Sequence, residues 1–285
     1  MAAKGWFAAH RFLLQRRATQ AAVLLLFLAG PWWGVWITKG SLASSLTLGV
    51  LPMTDPFLLL QSLAAGHPVA ASALAGAVTV LVLYLAVGGR AYCAWVCPMN
   101  AVTDTAAWAR RRLNLRGGAR ASRHWRWALL AVTLLSAGAT GTLAWELVNP
   151  VTALQRALVF GFAAAGATGL ALVLAVFLFD LFVLPRGWCG HLCPMGATYA
   201  LINRFSLLRV VARRREACND CADCYAVCPE PLVIKPALKG QGSRVITSAH
   251  CTNCARCLDV CSKDVFAFGT RFDGGRTPRP SDPTR

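Results

Sequence analysis

Eight of the twelve cysteines fall into two runs of identical spacing, and nothing else in the chain restricts its folding so tightly. Cys218, Cys221, Cys224 and Cys228 follow C-x2-C-x2-C-x3-C and precede Pro229. Cys251, Cys254, Cys257 and Cys261 repeat the run 33 residues later, with Ser262 where the first copy has proline. Three thiols at successive two-residue gaps wrap a loop around one centre. Zinc prefers two pairs separated by a longer insert. Disulfides are disfavoured on the reducing side of a membrane, where the charge pattern below places this region. Iron–sulfur chemistry is the reading that fits.

The spacing is similar to that of bacterial two-cluster ferredoxins, in which the fourth cysteine of each run ligates the other cluster. That rule assigns Cys218, Cys221, Cys224 and Cys261 to one [4Fe–4S] cluster, and Cys251, Cys254, Cys257 and Cys228 to a second. It leads us to expect a short helix opening at each fourth cysteine. Leu232–Ile234, Arg244–Thr247 and Val265–Phe268 read as short strands. An α+β domain of about 60 residues has too little core to stand alone, so the clusters would be its staples.

The rest of the chain is too apolar for a soluble enzyme. Apolar residues make up 56% of it and charged residues 14%, against a usual charged share of about a quarter. Disorder is excluded on the same ground. Four stretches, 18–37, 69–87, 127–148 and 157–184, are expected to span a hydrocarbon core, which takes about 20 apolar residues. Pro31 should kink or end the first. Trp32, Trp33, Trp36, Trp125 and Trp127 read as interfacial residues, and the small residues from Gly161 to Gly169 suit close helix packing. The loop from Thr38 to Pro68 is too apolar for a solvated connection and reads as re-entrant or surface-lying.

Net charge is +17. In a soluble chain that would point to nucleic acid; here every Lys and Arg except Lys39 and Arg156 lies before the first span, between the second and third, or after the fourth. This is the positive-inside pattern. It places both termini and the ferredoxin-like domain in the cytoplasm of a bacterial inner-membrane protein and removes the need for a nucleic-acid partner. Arg16-Arg17 ahead of an apolar run faintly resembles an export signal, but no small-residue cleavage site follows, so the first span is read as retained. The expected organisation is a basic N-terminus (1–17), a four-helix membrane domain (18–212), a two-cluster domain (213–270) and a flexible tail (271–285).

The other four cysteines form a second repeat. Arg90-Ala-Tyr92-Cys93-x3-Cys97-Pro98-Met99 matches Arg186-Gly-Trp188-Cys189-x3-Cys193-Pro194-Met195, with copies 96 residues apart. Cysteines four apart share one face of a helical turn. Packing motifs that use small buried cysteines are the plain alternative. Duplication of the whole pattern favours a redox role, either a further Fe–S centre or redox thiols.

Four spans, two such motifs and a terminal pair of ferredoxin runs together resemble the NapH family, ferredoxin-type membrane quinol dehydrogenase components of periplasmic nitrate reductase systems. The apolar loop from Leu48 to Leu63 and the ending Cys261-Ser-Lys-Asp-Val-Phe266 carry the likeness too. The resemblance implies an electron-transfer subunit rather than an independent enzyme. Electrons would pass from the quinol pool toward nitrate reductase through a partner Fe–S subunit and a multihaem membrane cytochrome. The alternative is a redox sensor or an assembly factor for a respiratory enzyme.

Oxidising a quinol releases protons, so a base should stand near the ring. Asp55, Glu146, Asp180 and His191 are the candidates within or near the spans. Asp180 has an alternative as a snorkelling residue or partner of Arg186, and His191 as a hydrogen-bond donor to a cysteine sulfur.

Overall fold

The structure is a computed structural model that describes residues 4–115, 117–119, 121–122, 124–161, 164–240 and 242–275. Most of the expected flexible tail, from residue 276 onward, lies outside the described residues.

The first helix, α1 (Trp6–Trp33), runs through Pro31 and stops two residues beyond it. Gly34, at φ 74°, takes the left-handed conformation that ends helices, and its N–H bonds back to the Gly30 carbonyl. The apolar loop that follows folds as an antiparallel meander of β1 (Thr38–Gly40), β2 (Ser44–Thr47) and β3 (Leu51–Thr54), then helix α2 (Pro56–Ala64). Asp55 caps α2 through a 2.7 Å bond from the Phe57 N–H, and Pro56 occupies the first turn, where its missing N–H costs nothing. A meander plus a capped helix satisfies the loop's own backbone, which sequence reasoning had assigned to a re-entrant or surface-lying segment.

Helix α3 (Ala71–Val87) leads to the first C-x3-C motif, and α4 (Met99–Arg112) follows it. Helix α5 (Trp125–Thr140) stops short of the expected Val148, because Gly141 adopts φ 64° and closes the last turn; Ala144–Leu147 is then a single 3-10 turn. The stretch expected to cross as 157–184 is interrupted. Its first residues belong to α6 (Pro150–Phe160), Gly161 breaks the helix at φ 78°, and α7 (Ala164–Leu178) resumes before passing into a π-helical turn, Phe179–Val183.

Among the described residues two helices are long and apolar enough to cross a membrane, Trp6–Trp33 and Gly166–Val183; α3, at 17 residues, is a shorter apolar helix. Only 17% and 28% of their most apolar windows are buried. The core helix of a soluble protein would be mostly covered, whereas these present Leu25, Leu170 and Leu174 outward.

The chain separates into two compact units. One consists of Ala18–Leu83 and Val96–Tyr199. In it α6 packs along α7 at short range, and Gly169 is what permits this: a Cβ there would sit 2.5 Å from the Ala153 carbonyl oxygen. Gly169, within the small-residue stretch, thus packs closely; residues 162 and 163 of that stretch lie outside the described residues.

The other unit comprises Met1–Arg17, Tyr84–Trp95 and Ala200–Arg285. After α8 (Pro194–Phe205), strand β4 (Leu208–Ala212) pairs antiparallel with β5 (Phe266–Thr270), and α9 (Asp223–Val227), α10 (Lys235–Leu238) and α11 (Arg256–Val260) lie between them in sequence. The core joins Val210, Ile234, Leu238, Ile246, Val260 and Val265 to Cys224 and Cys257. Leu232–Ile234 is not a strand: Pro231–Val233 forms a 3-10 turn, which a proline at its start favours. Arg244–Thr247 contributes only the bridge from Val245 to Val211.

Gly169→Ala should lower stability by about 1–3 kcal/mol, the usual cost of forcing a group into a packed interface. Thermal unfolding in detergent checks this. Gly49→Ala is the control: that glycine has open space around its Cβ direction but carries φ 72°, so only backbone strain should register.

Candidate functional site

Both cysteine runs adopt the same local backbone. Asp220 and Ala222 in the first, and Asn253 and Ala255 in the second, sit at φ 55°, 62°, 49° and 59°. Left-handed residues at these positions curl the loop inward; Asp and Asn tolerate the conformation, while each alanine holds it at a cost of about 1–2 kcal/mol. The curl turns backbone N–H groups toward sulfur. Asp220 N donates to Cys218 Sγ at 3.4 Å, and Val265 N to Cys261 Sγ at 3.4 Å. The third cysteines, Cys224 and Cys257, lie on α9 and α11; the fourth, Cys228 and Cys261, follow directly in extended conformation. The expected order is therefore corrected: the short helix ends at the fourth cysteine instead of opening there, and its length carries the fourth thiol away from the first three.

The consequence is an exchange of partners. Cys218, Cys221 and Cys224 line one cavity together with Cys261, beside Tyr225 and Phe266. Cys251, Cys254 and Cys257 line another with Cys228, beside Val210 and Ile246. Among the described residues no group of three His, Cys, Asp or Glu side chains closes on a single metal ion. Thiolates on one zinc stand about 3.8 Å apart, given Zn–S bonds near 2.3 Å. Four sulfurs lining one cavity suit a cluster in which each thiolate binds its own iron.

Charge makes the same point. Burial pushes the Cys224 thiol up to about 11, and the neighbouring Cys261 adds repulsion. Burial likewise drives Cys251 to about 11, with Cys254 opposing a second negative charge, and raises Cys257 well above the ordinary thiol value. Thiolates gathered here need a multiply charged cationic core to offset them. The donor set, all sulfur, buried at Cys224, Cys254 and Cys257, with backbone N–H groups directed at sulfur, fits an iron–sulfide cubane.

Arg90 of the first C-x3-C motif anchors the second cysteine loop. It is buried, donates to the His250 carbonyl at 2.7 Å and stands 3.8 Å from Glu230, which is also buried and follows Cys228-Pro229. Trp95 Nε1 donates to the Asn253 carbonyl at 3.1 Å, and the Asn253 side chain reaches the carbonyls of Leu208 and Val87. Sequence reasoning recorded Arg90 as part of a repeated pattern; its partner Glu230 and the anchoring role of Asn253 were missed, since no spacing signals a contact across 140 residues or more.

The two C-x3-C motifs share a conformation. Tyr92–Val96 and Trp188–Leu192 are both π-helical turns, each followed by a cysteine, a proline and a helix. Cys193 N bonds to the Trp188 carbonyl at 3.0 Å, closing the wider turn. In each motif the carbonyl just after the first cysteine accepts from a buried arginine: Arg16 Nε reaches Ala94 O at 3.0 Å, and Arg126 Nη2 reaches Gly190 O. Gly196 N donates to Cys193 Sγ at 3.4 Å, and Thr103 Oγ1 lies 3.8 Å from Cys189 Sγ. Isolated π-turns occur mostly at functional sites. Arg16 and Arg126 were counted from sequence only as cytoplasmic charge, and their burial had no sequence signal.

The four proton-transfer candidates fall into two local settings, Asp180 with His191 and Asp55 with Glu146. Asp180 is buried and accepts from Trp188 N at 2.9 Å, so it caps the second π-turn. His191 lies inside that turn. Asp55, besides capping α2, accepts from the Tyr199 hydroxyl at 3.1 Å. Burial pushes its carboxyl up to about 6 against the pull of its hydrogen bonds from Phe57 and Tyr199, with nearby Glu146 adding repulsion. Glu146 accepts from Asn149 Nδ2 at 3.1 Å and from Thr152 Oγ1 at 2.7 Å, and lines a cavity.

Such a site defines a class, the ferredoxin-type iron–sulfur electron-transfer proteins. Residues 69–116 and 165–215 match a family described as a 4Fe-4S binding domain, and residues 210–262 match a 4Fe-4S dicluster domain. The chain is 50% identical to the ferredoxin-type protein NapH of Escherichia coli (strain K12), over 95% of this chain and 94% of that one. It is 48% identical to NapH of Haemophilus influenzae over 94% and 93%, and 53% identical to the methylamine utilization ferredoxin-type protein MauN of Paracoccus denitrificans over 95% and 94%. No solved structure matches. The chain belongs to the family of ferredoxin-type proteins that includes NapH and MauN.

Replacing Arg90 by Ala would leave Glu230 charged and buried, which typically costs about 3–5 kcal/mol. We expect loss of cluster absorbance during anaerobic purification, with partial recovery when Glu230→Gln is added.

Proposed function

We propose that the protein is a multi-pass inner-membrane electron carrier that oxidises quinol and passes electrons through two [4Fe–4S] clusters. Cys218, Cys221, Cys224 and Cys261 would hold one cluster, and Cys228, Cys251, Cys254 and Cys257 the other. Each cluster, when bound, takes up and returns one electron. The observation that carries this reading is the exchange of fourth cysteines between two cavities, in a chain with apolar, uncovered helices. A relay attached to lipid calls for a lipid-soluble donor.

The chain's own residues shape the conditions for that relay. Arg90, Asn203 and Asn253 fix the second loop by hydrogen bonds to and from backbone. Buried apolar residues around Cys224 and Cys257 exclude water, and the inward N–H groups stabilise negative sulfur. The charge pattern supports a cytoplasmic position for this domain and both termini and agrees with an even number of spans, of which the apolar stretches suggest four. The family description as a 4Fe-4S binding domain covers both C-x3-C motifs, which supports a further iron–sulfur centre there over a plain thiol pair.

Delivery toward periplasmic nitrate reductase, by way of a partner Fe–S subunit and a multihaem cytochrome, is the reading that likeness to NapH supports. The MauN relative at 53% identity favours a second: the same carrier serving methylamine utilization.

Anaerobic protein should be reduced by a quinol analogue on a turnover timescale, with EPR signals from both clusters. Cys224→Ser and Cys257→Ser should each abolish one signal. Eight irons per chain, unchanged in Cys93→Ser and Cys189→Ser variants, would remove the further centre; clusters that stay oxidised with quinol would support a sensor or assembly role instead.

A further inference from the structure

A cavity of about 440 Å³ lies in the unit formed by Ala18–Leu83 and Val96–Tyr199, within the usual range of about 300–1,000 Å³ for small-molecule sites. It is independent of all twelve cysteines. Phe27 and Pro31 of α1, with Trp36 just beyond it, contribute apolar lining, and Glu146, Thr152 and Arg156 contribute polar lining. Thr38 lines the space as well. Thr38 is 3% exposed, and its hydroxyl is buried without a hydrogen-bond partner. Leaving a buried hydroxyl unpaired costs about 1–3 kcal/mol, so this group is one that a ligand oxygen would satisfy. Gln155, also lining the cavity, is committed elsewhere: it accepts from Leu42 N at 3.0 Å and donates to Gly40 O at 3.4 Å, holding β1 against α6.

We propose that this cavity binds the ring of a quinone or quinol, an inference that rests on the quinol-oxidising reading above. Three features select that occupant. The apolar lining continues onto α1, a helix whose apolar window is only 17% buried, so an isoprenoid tail can leave along a lipid-facing surface. The polar lining groups come from separate segments, Thr38 on β1 and Glu146 and Thr152 more than a hundred residues later, so each of the two ring oxygens can be offered its own partner. Glu146 already accepts from Asn149 and Thr152, but a carboxylate offers about four acceptor positions, which leaves capacity for a quinol hydroxyl. A quinone carbonyl has no proton to give it, so the site should hold the reduced form more tightly. The lining comes from the second half of the first expected span and the loop after it, and from Leu143–Phe160 around the connection of the third and fourth, the side that the charge pattern sends outward. Glu146, one of four candidates by sequence, lines this cavity.

The test uses the full chain in lipid nanodiscs. A photoreactive azidoquinone should label peptides from residues 27–43 and 143–160, and excess decylubiquinol should suppress the labelling. Thr38→Val should weaken decylubiquinol binding about fivefold, the loss of one hydrogen bond. Glu146→Gln should erase the preference for quinol over quinone while leaving quinone affinity within twofold. Leu143→Trp, which fills the cavity, should abolish labelling with the cluster absorbance intact, showing that the chain has folded. Labelling elsewhere, or labelling displaced by phospholipid and not by quinol, would overturn the assignment. The two readings part cleanly: if quinol still reduces the clusters while these segments stay unlabelled, the site is wrong and the function stands. If quinol neither binds nor reduces, both fall.

Discussion

The burial of thiols beside one another governs the ferredoxin-like domain of this protein. Eight cysteines stand around two cavities inside a small domain, and burial first, with neighbouring sulfur second, raises Cys224, Cys251 and Cys257 above the ordinary thiol range. A domain of that size has too small an apolar core to absorb such a penalty. Its core is built around two of the cysteines themselves, Cys224 and Cys257. Folding and iron binding are then one process, as in other small metal-stapled domains. The short helices α9 and α11 set the arrangement: each is long enough to place the fourth cysteine beyond the reach of its own loop and at the other cavity.

Cations appear where sulfur does. Arg90 is buried against the second loop and Glu230, and Arg209, whose own pKa is lowered by burial, is held charged in part by Cys251. Segment Tyr84–Trp95 thereby belongs to the same compact unit as the ferredoxin-like residues, although it precedes them by more than a hundred positions. The basic surplus of the chain is therefore not solely a topological marker. Part of it is structural charge, placed against carbonyls and carboxylates that need it.

How much of this was legible beforehand depended on the range of the interaction. The cysteine runs have a local cause, since two-residue gaps dictate a wrapping loop, and from them came the grouping of four thiols per cavity. The helix–cysteine order was misjudged because the left-handed residues that start α9 and α11 are alanines, Ala222 and Ala255, which announce nothing. Helix ends at Gly141 and Gly161 were glycines hidden in apolar runs, where a hydropathy window averages over them. The meander in the Thr38–Thr54 loop was obscured by its apolar character, which reads as membrane burial and equally well as a sheet face. Buried Arg16 and Arg126 had no signal at all, because a positive-inside count registers number and not exposure.

Those two arginines show how the C-x3-C motifs are built. A packing motif needs small side chains and nothing more, and burying a guanidinium costs several kcal/mol unless its partners repay it. Yet each motif is a π-turn whose carbonyl beside the first cysteine accepts from a buried arginine supplied by a different helix, α1 in one case and α5 in the other. The residue four positions after that carbonyl is Pro98 in one motif and Pro194 in the other, and proline has no N–H to give, so an α-helical turn would leave the carbonyl without its backbone donor. The arginine supplies the missing donor. That the same device, proline and buried arginine together, occurs twice, in segments 96 residues apart in sequence, ties both motifs to one local architecture.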